Sequence, residues 1–487
     1  MNGEMNHHLN KTISWGLLAA IVFTGLAFGA VEPWSIFVFE VIVLALLLLW
    51  GMKVLRDGRL ELTVPAIALP VAALLAVGLI QSIALTRSDG SWVSLSMNVG
   101  YTRSAVTVLA FLLIALVIAS NFFVSRERLA VVGHFLVVYG LAVAMFALVQ
   151  HFTWSGRFYW IRPTLATNPF GPFANHNHFA GYMELLIPLP IALVLTRAVG
   201  REVRVLYGFA AAIMGLAMVV SLSRGGLISL AAMLMFLVLV SIRVPRIWRL
   251  ERGRREFREA DRKGPGAVVG RFRAVASQVI VVAAIVAVIG AGVLWIGADP
   301  VIQRVTQGQP VEGLPQETFS TSRGWIWRDT ISMIRANPLL GVGLGAYVTA
   351  FSLYSKSDGS LKVPQAHNDY LQVVADGGIV GGLIALWFVV VVFRVVTRGL
   401  KSRDPLLSGL ALGSSAGIVG ILVHSLFDFN LQIPSNALLF LVLAAVASNV
   451  AVLAQQTTHS EELASRPGTG LIHKQTASTA VVVGGAS

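Results

Sequence analysis

The sequence predicts an all-α, polytopic membrane protein. Hydrophobic residues make up 56% of the 487-residue chain, charged residues make up only 13%, and the mean hydropathy is +0.75. An average soluble domain carries about 25% charged residues. The apolar residues also form long runs, and a run of about 20 residues can cross a bilayer as a helix. Composition and run length together therefore predict membrane-spanning helices.

About twelve such runs follow one another along the chain. The predicted spans lie near residues 14–31, 34–52, 62–84, 104–123, 129–150, 177–196, 204–221, 225–242, 274–297, 376–393, 406–425 and 434–454. The first run has full span length and a second run follows it at once. We therefore expect the first run to remain as a helix and not to act as a cleaved signal peptide.

The net charge of +13 is unevenly distributed along the chain. If the N-terminus is cytoplasmic, most of the 37 Lys and Arg residues fall on one side, chiefly in the connections 53–59, 197–204, 243–273 and 394–403. This asymmetry is the positive-inside pattern of membrane proteins, and it explains the basic composition without a nucleic-acid partner. It predicts that both termini are cytoplasmic. Connection 243–273 is also a candidate for contact with anionic membrane lipids.

The chain divides into three predicted parts. Residues 1–160 form N-terminal transmembrane helices and residues 161–454 form a transmembrane core. Residues 455–487 form a cytoplasmic tail rich in Ala, Ser, Thr and Gly, a composition typical of disorder. The core includes an outer loop, residues 298–375, that is too long for a simple connection. Function is therefore expected on the outer side, where the loop lies.

The outer loop carries structural signals of its own. A helix is predicted to begin at a cap, Thr321 or Ser322, and to end at Ala336, before an Asn-Pro pair. Its expected apolar stripe consists of Trp327, Ile331 and Ile334. The glycine-rich run 338–345 lacks the strand and the Lys-Ser/Thr pair of a nucleotide-binding loop. We expect its glycines to allow a tight backbone turn near the membrane.

Two arginines lie where helices on the outer side are predicted to begin. Arg224 precedes Gly225 and Gly226, and Arg323 heads the predicted loop helix. A helix N-terminus already carries about half a positive charge, so an arginine there is unfavourable unless an anion shares the site. The guanidinium group suits a diphosphate, and Ser223 is a possible additional donor. A structural role for Arg224, reaching headgroups or backbone carbonyls, is the alternative interpretation.

His367 returns the outer loop to the membrane face that carries both arginines. Asp369 and Gln365 lie close to it in sequence and are expected to orient its ring. A neutral imidazole can accept a proton from a sugar hydroxyl near neutral pH. His367 is therefore a candidate general base, although a lone histidine is also compatible with a structural role.

The segment from Asn175 to His178 superficially resembles a metal-binding pair. His176 and His178 are two residues apart and do not share a helix face, few carboxylates lie nearby, and the chain has no cysteine. We therefore predict no metal site and no cofactor. Asn175 and Asn177 are expected to bind sugar hydroxyls or a lipid headgroup by hydrogen bonds.

Ionisable residues within the predicted spans concentrate toward the outer leaflet. Glu184 lies about two turns into its span. His424 and Asp428 lie at the last outer turn. Such groups are costly in the bilayer and usually face a cavity or one another. The pattern predicts a polar cavity that opens toward the outer side.

Taken in order, these motifs resemble a known family. They are Gly171 through Asn177, Ser223 through Gly226, Arg323 through Trp327, Asn337 through Gly345, His367 through Leu371 and Asp376 through Gly378. In this order they resemble the O-antigen ligase and O-antigen polymerase superfamily over roughly residues 165–440. The His-Asn-x-Tyr-Leu motif after a long outer loop is the most specific part of the resemblance.

The resemblance implies a bacterial inner-membrane glycosyltransferase with a glycosyltransferase-C-like fold. Its donor would be an undecaprenyl-diphosphate-linked saccharide, and its acceptor a hydroxyl of a glycan, lipid or protein at the periplasmic face. Transfer would invert the anomeric centre without a metal ion. By this resemblance Arg224 and Arg323 bind the diphosphate and His367 is the base. The supporting residues would be Ser223, Asn175, Asn177, Asp369 and Gln365.

The acceptor, and the choice between ligase and polymerase, stay open at this point. A bicarbonate or small-solute transporter of the same superfamily is the alternative, and it should show broken helices with polar groups at the bilayer midplane. A purely structural membrane scaffold would leave the paired arginines unexplained.

Overall fold

A computed structural model describes residues 2–86, 92–164, 168–243, 265–296, 319–356 and 363–464. Within these residues the chain is almost entirely helical. The helices are α1 (Asn2–Leu26), α2 (Pro33–Asp57), α3 (Ala68–Gln81), α4 (Val99–Phe122), α5 (Arg126–Phe152), α6 (His176–Leu186), α7 (Pro188–Leu195), α8 (Arg201–Val220), α9 (Arg224–Arg243), α10 (Pro265–Ile296), α11 (Phe319–Ala336), α12 (Tyr347–Tyr354), α13 (Asp369–Gly399), α14 (Pro405–His424) and α15 (Pro434–Ala464).

The remaining regular elements are short. Two single-turn 3₁₀ helices occupy Phe28–Ala30 and Asn430–Gln432. Two antiparallel hairpins pair β1 (Ala84–Thr86) with β2 (Trp92–Ser94), and β3 (Arg157–Phe158) with β4 (Arg162–Pro163). These elements connect helices and form no extended sheet.

The predicted class, an all-α polytopic membrane protein, is confirmed. In the described part of the chain, ten helices are long and apolar enough to cross a membrane, with α6 and α7 counted together as one. Two of the twelve predicted spans correspond to shorter apolar helices, Ala68–Gln81 and Val282–Trp295. The last span continues past its predicted end at 454 to Ala464. Residues 465–487 of the predicted tail, and most of connection 243–273, lie outside the described residues.

Side-chain caps explain why several helices begin where they do. The side chains of Asn98, Ser125, Asn175, Asn368 and Asp404 accept hydrogen bonds from first-turn N–H groups of α4, α5, α6, α13 and α14. Such caps satisfy donors that a helix cannot pair internally. The cap at Asn368 also explains why α13 begins before residue 376, where the corresponding span was predicted to start.

Two apolar runs are interrupted within the core. Pro188 lacks a backbone N–H donor, and it begins α7 directly after α6 ends at Leu186. In α13 the backbone of Gly378 leaves the helical conformation, with φ of +63°. Both interruptions lie beside the residues discussed below.

The centre of the bundle is formed by α6, α7, α14 and α15. The apolar windows of these spans are 89% buried, whereas the window of α2 is 28% buried. Helix α14 packs on α6, α7, α9 and α15, while α2 exposes large side chains such as Phe37 and Leu48. In a membrane protein these exposed side chains would face lipid.

Contacts distinguish two ends of the bundle. At one end, where α6, α9 and α13 begin and α14 ends, Arg162 pairs with Glu32 at 2.9 Å. At the other end Arg126 pairs with Asp404 at 2.6 Å, near the start of α5 and α14. We call the first the site end. We call the second, which includes the basic connection 394–403, the basic end. The predicted outer motifs are at the site end.

Candidate functional site

The site is centred on Asp428, in the turn 425–433 between α14 and α15. Its side chain is 1% exposed. One carboxylate oxygen accepts hydrogen bonds from His367 Nδ1 at 3.2 Å and from the N–H of Phe429 at 2.9 Å. The other accepts from Asn177 Nδ2 at 2.6 Å and lies 3.7 Å from Nη2 of Arg323. Residues from α6, α11 and the segment before α13 therefore meet at one carboxylate.

The environment of Asp428 favours its charged form. Burial by itself would raise the pKa of the carboxyl group. The hydrogen bond from His367 and the charges of His367 and Arg323 outweigh burial and lower the pKa well below its usual range. Asp428 is therefore a carboxylate at neutral pH and acts as a hydrogen-bond acceptor only.

Asp428 sets the tautomer of His367. A carboxylate can only accept, so the hydrogen bond places a proton on Nδ1 and leaves the lone pair of a neutral ring on Nε2. The ring also makes an edge contact with Phe429, with centroids 5.0 Å apart. His367 is 23% exposed, so a substrate can approach its ring.

The backbone around His367 is unusual and well anchored. His367 has φ of +50°, a left-handed conformation that is uncommon for residues with a side chain. The preceding Ala366 donates its N–H to Gln372 Oε1 at 2.8 Å and accepts a hydrogen bond from Trp327 Nε1 at 3.0 Å. These contacts hold the histidine in its strained conformation.

The expectation that Asp369 and Gln365 orient His367 is wrong. Asp369 instead accepts hydrogen bonds from Ser425 Oγ at 2.8 Å and from the N–H of Leu431 at 3.2 Å. Asp369 follows the Asn368 cap in the first turn of α13, whereas His367 precedes the cap with positive φ, so the two side chains diverge. Gln365 and Asp369 both line a neighbouring cavity.

Arg323 lies at the site, although not at the start of its helix. Helix α11 begins at Phe319, before the predicted caps, so Arg323 is past the first turn and its own N–H is not one of the free terminal donors. Its guanidinium group donates to the backbone oxygen of Phe427 and approaches Asp428, and the side chain is 13% exposed. It is thus positioned by the same turn that carries Asp428.

The apolar face of α11 also differs from the predicted stripe. Ile326 and Met333 are buried in a small cluster, and Trp327 and Ile334 pack at the edge of that cluster. Ile331 is exposed. The helix therefore packs against later residues of the outer loop through a face rotated from the expected one.

Arg224 begins α9, as predicted. Ser223 caps the helix, because its Oγ accepts the N–H of Gly226 at 3.1 Å, so it acts here as an acceptor toward the protein. A side chain at Gly225 would meet the His424 ring at 2.7 Å and Cβ of Phe427 at 3.4 Å. The absence of that side chain lets the start of α9 approach the turn that binds Arg323.

The segment 175–178 is divided between two environments. His176 Nδ1 donates to the backbone oxygen of Ser221 at 2.5 Å, and Asn177 donates to Asp428. Asn175 caps α6 and, with His178, lines the neighbouring cavity. The two histidines therefore contact different partners. We use the term cationic cluster for Arg323 and His367 together with Asp428; Arg224 begins the helix whose next residue, Gly225, approaches the same turn.

Comparison with known proteins relates part of the chain to a family model. Residues 209–386 match the family model described as O-antigen ligase. The resemblance to the O-antigen ligase superfamily is thereby confirmed. A search of curated proteins finds no match.

The O-antigen ligase match contains the three residues that the motifs predicted for the diphosphate and for the base. Arg224, Arg323 and His367 all lie within 209–386, whereas Asn177 and Asp428 lie outside it. Residues on either side of the matched region therefore complete the site.

A buried pair outside the matched residues 209–386 also packs against the start of α9, which lies within them. His424 Nδ1 and Glu184 Oε1 are 2.7 Å apart, and both side chains are almost fully buried. His424 packs against Gly225, so this pair lies directly beneath the start of α9. Such a pair is costly to break by removing one partner, which makes it a firm support for Arg224.

The glycine-rich run forms the predicted tight turn. Gly341, Gly343 and Gly345 all have positive φ. The N–H of Val342 donates to Ala375 O at 3.0 Å, which ties the run to α13 just before its break. The positive φ values of these glycines therefore allow the run to form backbone hydrogen bonds with α13.

Gln81 was not predicted as part of the site region. Its buried side chain donates to the backbone oxygens of Leu340 and Asp376, at 2.6 and 2.9 Å, and accepts the N–H of Leu344 at 2.9 Å. It joins α3 to both the glycine-rich run and α13. A single glutamine at a helix end carries no sequence signal for this role.

Proposed function

We propose that this chain transfers a saccharide from an undecaprenyl-diphosphate carrier to an acceptor hydroxyl at the periplasmic face of the inner membrane. The observation that carries the proposal is the convergence of His367 and Arg323 on Asp428. A histidine with a fixed tautomer and an arginine suited to phosphate thus lie within reach of one substrate. The O-antigen ligase match supports the same class of reaction.

In this proposal His367 acts as the general base. Its Nε2 takes the proton from the acceptor hydroxyl as the hydroxyl oxygen attacks the anomeric carbon of the donor sugar. Asp428 stabilises the imidazolium ion that forms, through the hydrogen bond at Nδ1. The residue needs no large movement for this step, because the surrounding backbone already holds its ring.

The arginines act on the leaving group. As the bond between the sugar and the diphosphate breaks, its electron pair passes to the diphosphate oxygen. Arg224 and Arg323 would stabilise the negative charge that develops there. Attack and departure on opposite faces of the sugar give inversion at the anomeric carbon.

The deciding experiment is a transfer assay with purified protein, a lipid-diphosphate saccharide and a panel of acceptors. We expect release of undecaprenyl diphosphate by the wild type and a loss of about 10²- to 10⁴-fold in His367→Ala, since that range is typical for a general base. His8→Ala, an exposed histidine on α1, is the matched control and should keep full turnover. Full turnover in His367→Ala would exclude the proposed base.

Interrupted helices are also expected for the alternative function, a bicarbonate or small-solute transporter. The α6–α7 and α13 interruptions are of the kind that transporters use at substrate sites. Beside the first interruption, however, Glu184 is engaged by His424. Solute uptake into sealed vesicles without any lipid donor, combined with no transfer activity, would favour the transporter over the transferase.

A further inference from the structure

A large cavity lies on the other side of the 425–433 turn from the cationic cluster. Its volume is about 670 Å³. Phe429 lines it and also contacts the rings of His367 and His178, with centroid separations of 5.0 and 4.8 Å. The cavity is therefore separated from the candidate base by a single aromatic ring.

One end of the cavity is polar and lacks hydrogen-bond partners. Four buried atoms that line or adjoin it have no partner among the described residues: His178 Nε2, Gln365 Oε1, Asp369 Oδ1 and Asp376 Oδ1. Buried polar atoms without partners are rare and costly, so a group of four in one cavity indicates a ligand. Neither aspartate takes part in the transfer chemistry proposed above.

The two aspartates are held with one oxygen available to a ligand. Oδ2 of Asp376 accepts the side chain of Gln372 at 3.1 Å and the N–H of Gly345 at 3.2 Å. Asp369 likewise uses Oδ2 for its two contacts, with Ser425 and Leu431. In each case the structural bonds use Oδ2 and leave Oδ1 as an acceptor. Such acceptors suit the hydroxyl donors of a saccharide.

The other end of the cavity is apolar. It is lined by aliphatic and aromatic side chains from membrane-spanning helices, including Val108, Leu109, Leu112, Phe388, Val389 and Leu441. A hydrocarbon chain fits such a lining, because it gains burial without needing hydrogen bonds. The cavity as a whole therefore suits an amphiphile with a hydroxyl-rich head.

The charge of the lining selects against a diphosphate. Among the described residues that line the cavity none is Lys or Arg, and Asp369 and Asp376 both contribute. With no cation in this lining, an anionic headgroup would find no charged partner, whereas the aspartate oxygens would accept hydrogen bonds from neutral hydroxyls. This is the opposite of the cationic cluster.

We propose that this cavity binds the neutral, hydroxyl-rich saccharide of a lipid-linked acceptor, with Asp369 and Asp376 as its specificity-determining residues. The assignment to the acceptor rests on the proposed transferase function, since the cationic cluster would hold the donor diphosphate. The acceptor hydroxyl would reach His367 past the ring of Phe429.

Photo-crosslinking tests the proposal without requiring turnover. The probe is dodecyl maltoside with a diazirine in its alkyl chain, added to the full chain in nanodiscs of phosphatidylethanolamine and phosphatidylglycerol. We expect labelling of cavity residues in α13 and α15, displaced by excess dodecyl maltoside and not by dodecyl phosphate. Asp376→Asn and Asp369→Asn should each lower this labelling about fivefold to tenfold, as expected for one lost hydrogen bond.

The asparagine substitutions are chosen to preserve the fold. The amide oxygen can keep the bonds made by Oδ2, while the NH₂ group replaces the acceptor in the cavity by a donor. Asp404→Asn, which caps α14 at the basic end, is the matched control and should label like the wild type. Ala385→Trp, which fills the cavity, should reduce labelling by every alkyl probe.

Each other outcome contradicts the proposal. Equal displacement by dodecyl phosphate would assign the cavity to an anionic lipid, and labelling unaffected by either Asp→Asn change would reduce it to a hydrocarbon-chain site. Labelling elsewhere on the protein would exclude the cavity. The labelling assay detects binding alone. If the protein labels as expected but transfers no saccharide, the binding site would be supported and the proposed function would be contradicted.

Discussion

The 425–433 turn separates two environments of opposite charge. On one side it contributes Asp428 to a cluster with an arginine and a histidine. On the other side Ser425 and Phe429 line a cavity that contains two aspartates. One short turn thus contributes to both regions, and in the proposed scheme the cationic cluster would bind a diphosphate while the cavity would bind a neutral saccharide. The proposals together would have one helix-to-helix connection place two unlike ligands on either side of one base.

Asp428→Asn should have the largest effect on the cationic cluster. The amide cannot stabilise an imidazolium ion as a carboxylate does, and its NH₂ group would face the donors of Asn177 or Arg323. We expect turnover in the transfer assay to fall by about 10²- to 10⁴-fold, by analogy with the loss of an orienting carboxylate in a catalytic triad. Labelling by the maltoside probe should not change, which would separate the two sides of the turn.

The pH dependence of stability checks the same residue. The pKa of Asp428 is lowered in the folded protein, so its contribution to stability is present above the unfolded pKa of about 3.9 and is lost as the pH falls further. The difference in thermal stability between wild type and Asp428→Asn should therefore stay constant from about pH 8 to 5 and shrink below about pH 4. A difference that shrinks between pH 8 and 6 would contradict a permanently charged Asp428.

Arg323→Gln should have the next largest effect. A charge-assisted hydrogen bond to phosphate contributes about 1.5–3 kcal/mol, so we expect the donor KM to rise by about 10- to 100-fold. Arg328→Gln is the matched control, since this neighbouring arginine on α11 is 61% exposed and pairs with Asp329. Equal effects of the two substitutions would mean that overall positive charge, and not the cluster, attracts the donor.

Gly225→Ala should have the smallest effect. The added methyl group would meet the His424 ring at 2.7 Å, so the start of α9 or the ring must shift. We expect turnover to fall by up to about tenfold, since small displacements of a binding group reduce rates. Gly208→Ala, in α8, is the control because the added methyl group meets no atom within 4 Å. A transfer assay with both variants measures the difference.

Features encoded by neighbouring residues could be predicted from the sequence. Span positions followed from run length, the turn at 338–345 from its glycines, and the start of α9 from the residues around Arg224. The resemblance to this family was also recognised from the order of the motifs, and the match over residues 209–386 supports that resemblance. Each of these depends on residues close together in the chain.

Features that depend on tertiary contacts could not be predicted. Asp428 is 61 residues from His367, and only the packing of α13 against α14 brings the two together. Nearness in sequence instead favoured Asp369 as the partner, and the positive φ of His367 removes that possibility. The residues that line the cavity could not be predicted either, because they come from several separate helices; Glu184, His424 and Asp428, on which the prediction of a polar cavity was based, are not among them.

The contacts of Gln81 bear on how this protein can be re-engineered. The glutamine ends α3, in the part of the chain before the family match, yet it bonds to the backbone of the glycine-rich run and to that of α13 just before its break. Met97 and Asn98 add bonds from the same half, to Val342 and Thr349. A chimera that grafts residues 161–454 onto the first helices of a relative would need a glutamine at the equivalent position. Without it, the outer loop would lose its hydrogen bonds to α3.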